Sequence, residues 1–82
     1  MNIKQVIELV EKWIADPKSV GKEELKAAYV DARVLRDTAR DAHAYDAAYH
    51  AANAAAAAAA ASQSNTDGAK FWVAEYHESI ND

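Results

Sequence analysis

The stretch that decides the fold is residues 22–61, KEELKAAYVDARVLRDTARDAHAYDAAYHAANAAAAAAAA. It contains no glycine and no proline, and it ends in an unbroken alanine run over residues 54–61. Alanine has the highest intrinsic helix propensity. Gly21, or Ser19, is placed to cap a helix start, and Glu23 and Glu24 then fall in the first turn, where the helix dipole favours negative charge. The pattern predicts one continuous helix over 22–61. At ~1.5 Å rise per residue it would be roughly 60 Å long, far beyond the usual globular helix of about 11–12 residues.

Two shorter helices flank it. Over residues 2–16, Ile3, Val6, Ile7, Val10, Trp13 and Ile14 recur at helical spacing, with Glu8, Glu11 and Lys12 on the other side. Asn2 with Gln5 reads as a capping-box start, and Asp16-Pro17 as a stop, because the residue before proline is pushed out of the α region. Residues 62–68 read as a polar loop. A third helix is expected over 67–80, capped by Thr66 or Asp67, with Ala69, Trp72, Val73, Tyr76 and Ile80 as its apolar face and Phe71 beside it. A strand over 71–76 would have no partner. The expected fold is a single all-α domain over 1–82: three helices in a hairpin or bundle around one long alanine-rich helix, completed by oligomerisation.

That last expectation comes from the helix surface. One apolar seam runs from Leu25, Ala28, Ala32 and Leu35 to Tyr49, Ala56 and Ala60, at the alternating spacing of left-handed helix packing. A second runs from Ala27, Val30 and Val34 through Tyr45 to Ala48, Ala52, Ala55 and Ala59. The flanking helices can cover one side only, so a second chain is expected on the other. Antiparallel association of the long helices would use Ala48, Ala52, Ala55, Ala56, Ala59 and Ala60, whose bare Cβ atoms let another backbone come close.

Composition points the same way. The chain has 82 residues, of which 51% are hydrophobic, but about half of those are alanine, which buries little area per residue. There is no cysteine to supply a disulfide or a thiolate metal site. The net charge of −4 argues against general binding to nucleic acid or anionic membranes. The alanine run is too short to span a bilayer. Met1-Asn2-Ile3-Lys4 leads into an amphipathic pattern rather than an apolar leader core, so the expected location is the cytoplasm.

Candidate chemistry is sparse. His43, Asp46 and His50 lie on one side of the helix, but the histidines are two turns apart, about 10.5 Å along the axis, too far to share one ion within a helix. No metal and no cofactor is expected; a polar row with Asp46 and His50 paired is the simpler reading. Lys22, Lys26, Arg33, Arg36 and Arg40 form a basic stripe able to hold a phosphate-bearing ligand or an acidic partner, or else a solvated face with Arg33 paired to Asp37. Tyr29, Tyr45, Tyr49 and Tyr76 could form a stacking or recognition surface, or else bridge a thin alanine core and reach solvent with the hydroxyl. The serines fall in loops or near the end of the chain, and the sequence has no glycine-rich phosphate loop, so no enzymatic activity is expected.

The order of features, Trp13-Ile14-Ala15-Asp16-Pro17, then Ser19-Val20-Gly21-Lys22-Glu23-Glu24-Leu25, an Ala/Tyr/Asp/His tract, and Phe71-Trp72-Val73-Ala74-Glu75-Tyr76, resembles small alanine-rich proteins of tailed bacteriophages. More loosely it resembles helical putative immunity proteins. The resemblance implies a phage accessory protein of a kind that binds and blocks a host factor; joined to the oligomer read from the helix seams, the leading expectation is a non-catalytic helical oligomer that binds and inhibits a host defence factor in the host cytoplasm. Alternatives are a small-ligand binder such as a nucleotide sponge, taking an anionic ligand between chains, and a structural or assembly component. The residues expected to bind are Arg33, Arg36, Arg40, His43, Tyr45, Tyr49 and His50.

Overall fold

A computed structural model describes residues 1–61 and 65–80. Residues 62–64, part of the expected polar loop, lie outside the described residues. Among the described residues four α-helices follow one another: α1 (Ile3–Ala15), α2 (Lys22–Asp37), α3 (Ala42–Ala60) and α4 (Asp67–Ile80).

The start of α1 is the capping box that Asn2 and Gln5 predict. Asn2 Oδ1 accepts from the Gln5 N–H, and Gln5 Oε1 accepts from the Asn2 N–H, each at 2.8 Å. The helix stops at Asp16, which is extended, and Pro17–Ser19 make a single 3₁₀ turn. Asp16 Oδ1 accepts from the Lys18 N–H, and Ser19 Oγ donates to the Asp16 carbonyl. Val6, Ile7, Val10 and Trp13 are buried, so the β-branched stripe and the indole lie in the core as their spacing requires. Gly21 opens α2, and α4 begins where the Thr66 carbonyl accepts from the Lys70 N–H.

The expected 40-residue helix is not continuous, and this corrects the three-helix reading. It breaks at residues 38–41. Thr38 Oγ1 donates to the Val34 carbonyl at 2.8 Å, closing α2, and Thr38 itself sits at φ −104°, ψ 4°. Asp41 is extended, and its Oδ1 accepts from the Ala44 N–H at 2.7 Å, an N-cap for α3. Thr and Asp offer the backbone local alternatives to helix, so the interruption leaves few groups unsatisfied. The longest dimension of the molecule is 35 Å, not roughly 60 Å.

The break folds α3 back along α2. Leu25, Ala28 and Ala32 of α2 enter one core cluster with Ala51, Ala52, Ala54, Ala55 and Ala58 of α3. The central helix α3 packs against α2, α4 and α1 in turn. The side-by-side pairing expected between two chains is therefore made within one. Of the alanines expected at an interface between copies, Ala48, Ala52 and Ala55 are buried in the chain's own fold, Ala56 and Ala59 are half-buried, and only Ala60 is exposed. The physical reason is proximity: a hairpin partner tethered by four residues (38–41) is always present, whereas a second chain must be recruited by concentration.

Capping at the break makes a first prediction. Asp41→Ala removes the bond to Ala44 and should lower stability by about 1 kcal/mol. Urea denaturation followed by circular dichroism would detect it; an unchanged midpoint would mean the reversal is held by packing alone.

The seam between α1 and α4 makes a second. His77 Nε2 lies 3.2 Å from Glu11 Oε2 across it, and Tyr76 is buried beside them. Loss of hydration, with the charges of Glu11 and then Glu8, raises the Tyr76 hydroxyl above its ordinary value of 10.0. The folded chain thus keeps a proton that the unfolded chain releases first. The stability this supplies is complete below about pH 10 and drains away as pH rises from there through the folded value. Between about pH 9 and 11, Tyr76→Phe should lose less stability than the parent, measured by urea midpoints.

Candidate recognition site

The alanines that let α3 approach its neighbours also decide where the aromatic rings go. A Cβ added at Gly68, in the first turn of α4, would lie 3.4 Å from the Ala57 Cβ, so the two helices are in close contact there. Buried Ala51, Ala54, Ala55 and Ala58 on one side meet Ala69 and Val73 on the other within one core cluster. A seam this narrow has no room for a ring. The rings of Tyr45, Tyr49 and His50 on α3 and of Phe71 and Trp72 on α4 lie toward its open edge, whereas Tyr76 is buried.

Five rings meet there. Tyr45 and Tyr49, one turn apart on α3, stack with centroids 6.2 Å apart and planes at 20°. Tyr49 meets Trp72 of α4 edge to face at 6.0 Å and 84°. His50 lies 6.0 Å from the same indole, and Phe71 lies 5.0 Å from it at 83°. Tyr49 also meets His50 edge to face at 5.5 Å, so Trp72 and Tyr49 each touch three other rings. Phe71 is 56% exposed, Tyr45 45% and Tyr49 38%. Edge-to-face and offset-stacked pairs are the favoured aromatic geometries, so the rings hold one another in place while presenting apolar faces to solvent. His50 adds a polar feature: its Nδ1 is buried and has no hydrogen-bond partner among the described residues.

The other expected site residues are scattered. Arg33 is exposed on α2, while Arg36 is half-buried and holds Asp37 through Nε at 3.1 Å. Arg36, not Arg33, is the partner of Asp37. Arg40 lies in the break, so it leaves the helical register that would have aligned it with Arg33 and Arg36; the basic stripe ends at Asp37. His43 is exposed in the first turn of α3, and no group of three His, Cys, Asp or Glu among the described residues is placed to hold a metal ion. Of the four tyrosines, Tyr45 and Tyr49 come together, Tyr29 is half-buried and Tyr76 is in the core.

Phe71 and Trp72 are the site residues that sequence reasoning missed, having been placed on or beside an inward face. The signal was their adjacency. Consecutive residues of a helix point about 100° apart, so two neighbouring rings do not both fit a narrow seam.

The fold and this surface define a small all-α bundle, an alanine-packed helical hairpin closed by two further helices, with one cluster of aromatic rings on its outside. Family models, curated proteins and solved structures give no match to the chain.

Proposed function

We propose that this chain is a non-catalytic recognition protein that binds another protein through the ring cluster of Tyr45, Tyr49, His50, Phe71 and Trp72. The observation that carries the reading is the contiguous exposure of Tyr45, Tyr49 and Phe71 around the half-buried Trp72. Clustered exposed apolar surface marks interaction sites, and Trp and Tyr are the side chains that most often dominate binding energy. The rings are held rigid by mutual packing, so little side-chain entropy is lost on binding. The resemblance to phage accessory proteins supports a host factor as the partner and inhibition of it as the outcome.

The test compares capture from bacterial lysate by the parent chain and by a Tyr49→Ala, Phe71→Ser double variant. Both side chains are substantially exposed, so the variant keeps its helical circular dichroism. A specific protein retained by the parent and lost by the variant supports the reading. Equal capture by both would remove the ring cluster from it.

Association between copies is part of the same proposal, but on a different surface. With Ala48, Ala52 and Ala55 of α3 enclosed, an apolar stripe left exposed is Ala27, Val30 and Val34 on α2; the two valines are 54% and 55% exposed. Val30→Asp with Val34→Asp should lower the mass found by light scattering at about 100 µM while changing stability by no more than roughly 0.5 kcal/mol. A monomer mass for the parent at that concentration would end this part of the proposal.

A further inference from the structure

The charge of the chain is divided in a way that bears on what the ring cluster can hold. Residues 1–40 carry eight Lys and Arg against seven Asp and Glu, whereas residues 41–82 carry one against six. No Lys or Arg occurs from Asp41 to Ala69, so α3 bears only negative formal charge. All five rings stand on α3 and α4, in the acidic half. Asp46 is exposed and follows Tyr45 directly; it lies three residues before Tyr49 and four before His50, the spacing of helix-surface neighbours. Glu75, half-buried, stands in the same relation to Trp72 and Phe71. The one cation of this half, Lys70, lies elsewhere: it lines a groove between α1 and α4 with Glu11, Ile14 and Val73.

Resting on the reading that the cluster is a protein-binding surface, we infer that its occupant is a basic segment of the partner, held through arginine side chains. A guanidinium is planar and weakly hydrated, stacks on aromatic faces, and forms bidentate contacts with carboxylates. The exposed Tyr45 and Tyr49 rings supply such faces with Asp46 at helix-neighbour spacing, and Phe71 and Trp72 have Glu75 at the same spacing. A nucleic-acid strand could stack its bases on the same rings, but its phosphates would meet a helix without a single Lys or Arg. A purely apolar helix laid on the rings would desolvate Asp46 and Glu75 with no opposite charge to offset the cost. Complementary charge also speeds encounter and excludes acidic competitors.

The experiment uses the full chain labelled with ¹⁵N. Three decapeptides are titrated into it: one alternating Arg and Gly, one alternating Glu and Gly, and a neutral one alternating Leu and Ser. The arginine peptide is expected to shift the Trp72 indole N–H and the amides of Tyr45, Tyr49 and Phe71, to leave the buried Trp13 indole unmoved, and to bind more weakly as salt rises. Asp46→Asn with Glu75→Gln should weaken it about three- to tenfold, with helical circular dichroism retained. Equal or stronger shifts from the neutral or acidic peptide, shifts away from the rings, or no shift at all would overturn the arginine assignment. The wider recognition reading fails separately, when the ring variant captures from lysate all that the parent captures.

Discussion

Trp13→Ala should bring this protein close to unfolding at 37 °C. The indole is 4% exposed, and with Ile7, Leu25, Val6 and Val10 it belongs to the small set of large buried side chains in a core otherwise made mostly of alanine. Removing a buried tryptophan costs about 3–5 kcal/mol, part of it for the cavity left behind. A domain of this size starts near the low end of the usual 5–15 kcal/mol range. The alanine helices cannot collapse into the gap, because they are already in contact with their neighbours. Urea titration is expected to show the midpoint falling by more than half. A loss below about 1 kcal/mol would mean that α1 is not the dominant core element and that the α2–α3 hairpin stands largely on its own.

Ala55→Leu is the second large effect, in the opposite sense of volume. Ala55 is fully buried and belongs to the cluster shared by all four helices. Three added carbon atoms must push α3 away from a neighbour or force a strained rotamer, at a cost of about 1–3 kcal/mol or somewhat more. In a domain of this length each kcal/mol lowers Tm by roughly 4–8 °C. Ala60→Leu is the control, since Ala60 is exposed, and it should stay within about 0.5 kcal/mol of the parent. The pair also separates two pictures of the alanine helix. Were Ala55 a contact between copies, its enlargement would change the mass of the assembly and leave the stability of the isolated chain alone. In the structure described above it acts on the chain itself, at any concentration.

The ring cluster rests on the same physics. The five clustered rings lie at the outer edge of the α3–α4 seam, whose inside is lined by Ala51, Ala54, Ala55, Ala58, Ala69 and Val73. A protein built this way keeps these five rings available for contact without loosening its core, and that is why the recognition proposal and the packing prediction for Ala55 stand on one structural cause.

The amino-acid sequence by itself determined the helices as local objects. Asn2 with Gln5, Asp16-Pro17, Gly21 and Thr66 mark starts and stops whose geometry is satisfied by neighbours a few residues away, so periodicity and capping sufficed to read them. The apolar stripe of α1 was legible for the same reason. Only the tertiary structure decided that residues 22–61 form a hairpin. Thr38 and Asp41 are tolerated within a helix and are also good caps, so local energies for continuing and for breaking are close, and neither glycine nor proline was present to force the outcome. What separates them is burial: folded back, Leu25, Ala28 and Ala32 leave water together with the alanines of α3, a gain that exists only between segments distant in sequence and is invisible to any local reading. The meeting of Tyr49 with Trp72 was likewise decided by tertiary packing, here of α4 on α3, because it joins rings on two helices whose relative placement no pattern within either one specifies.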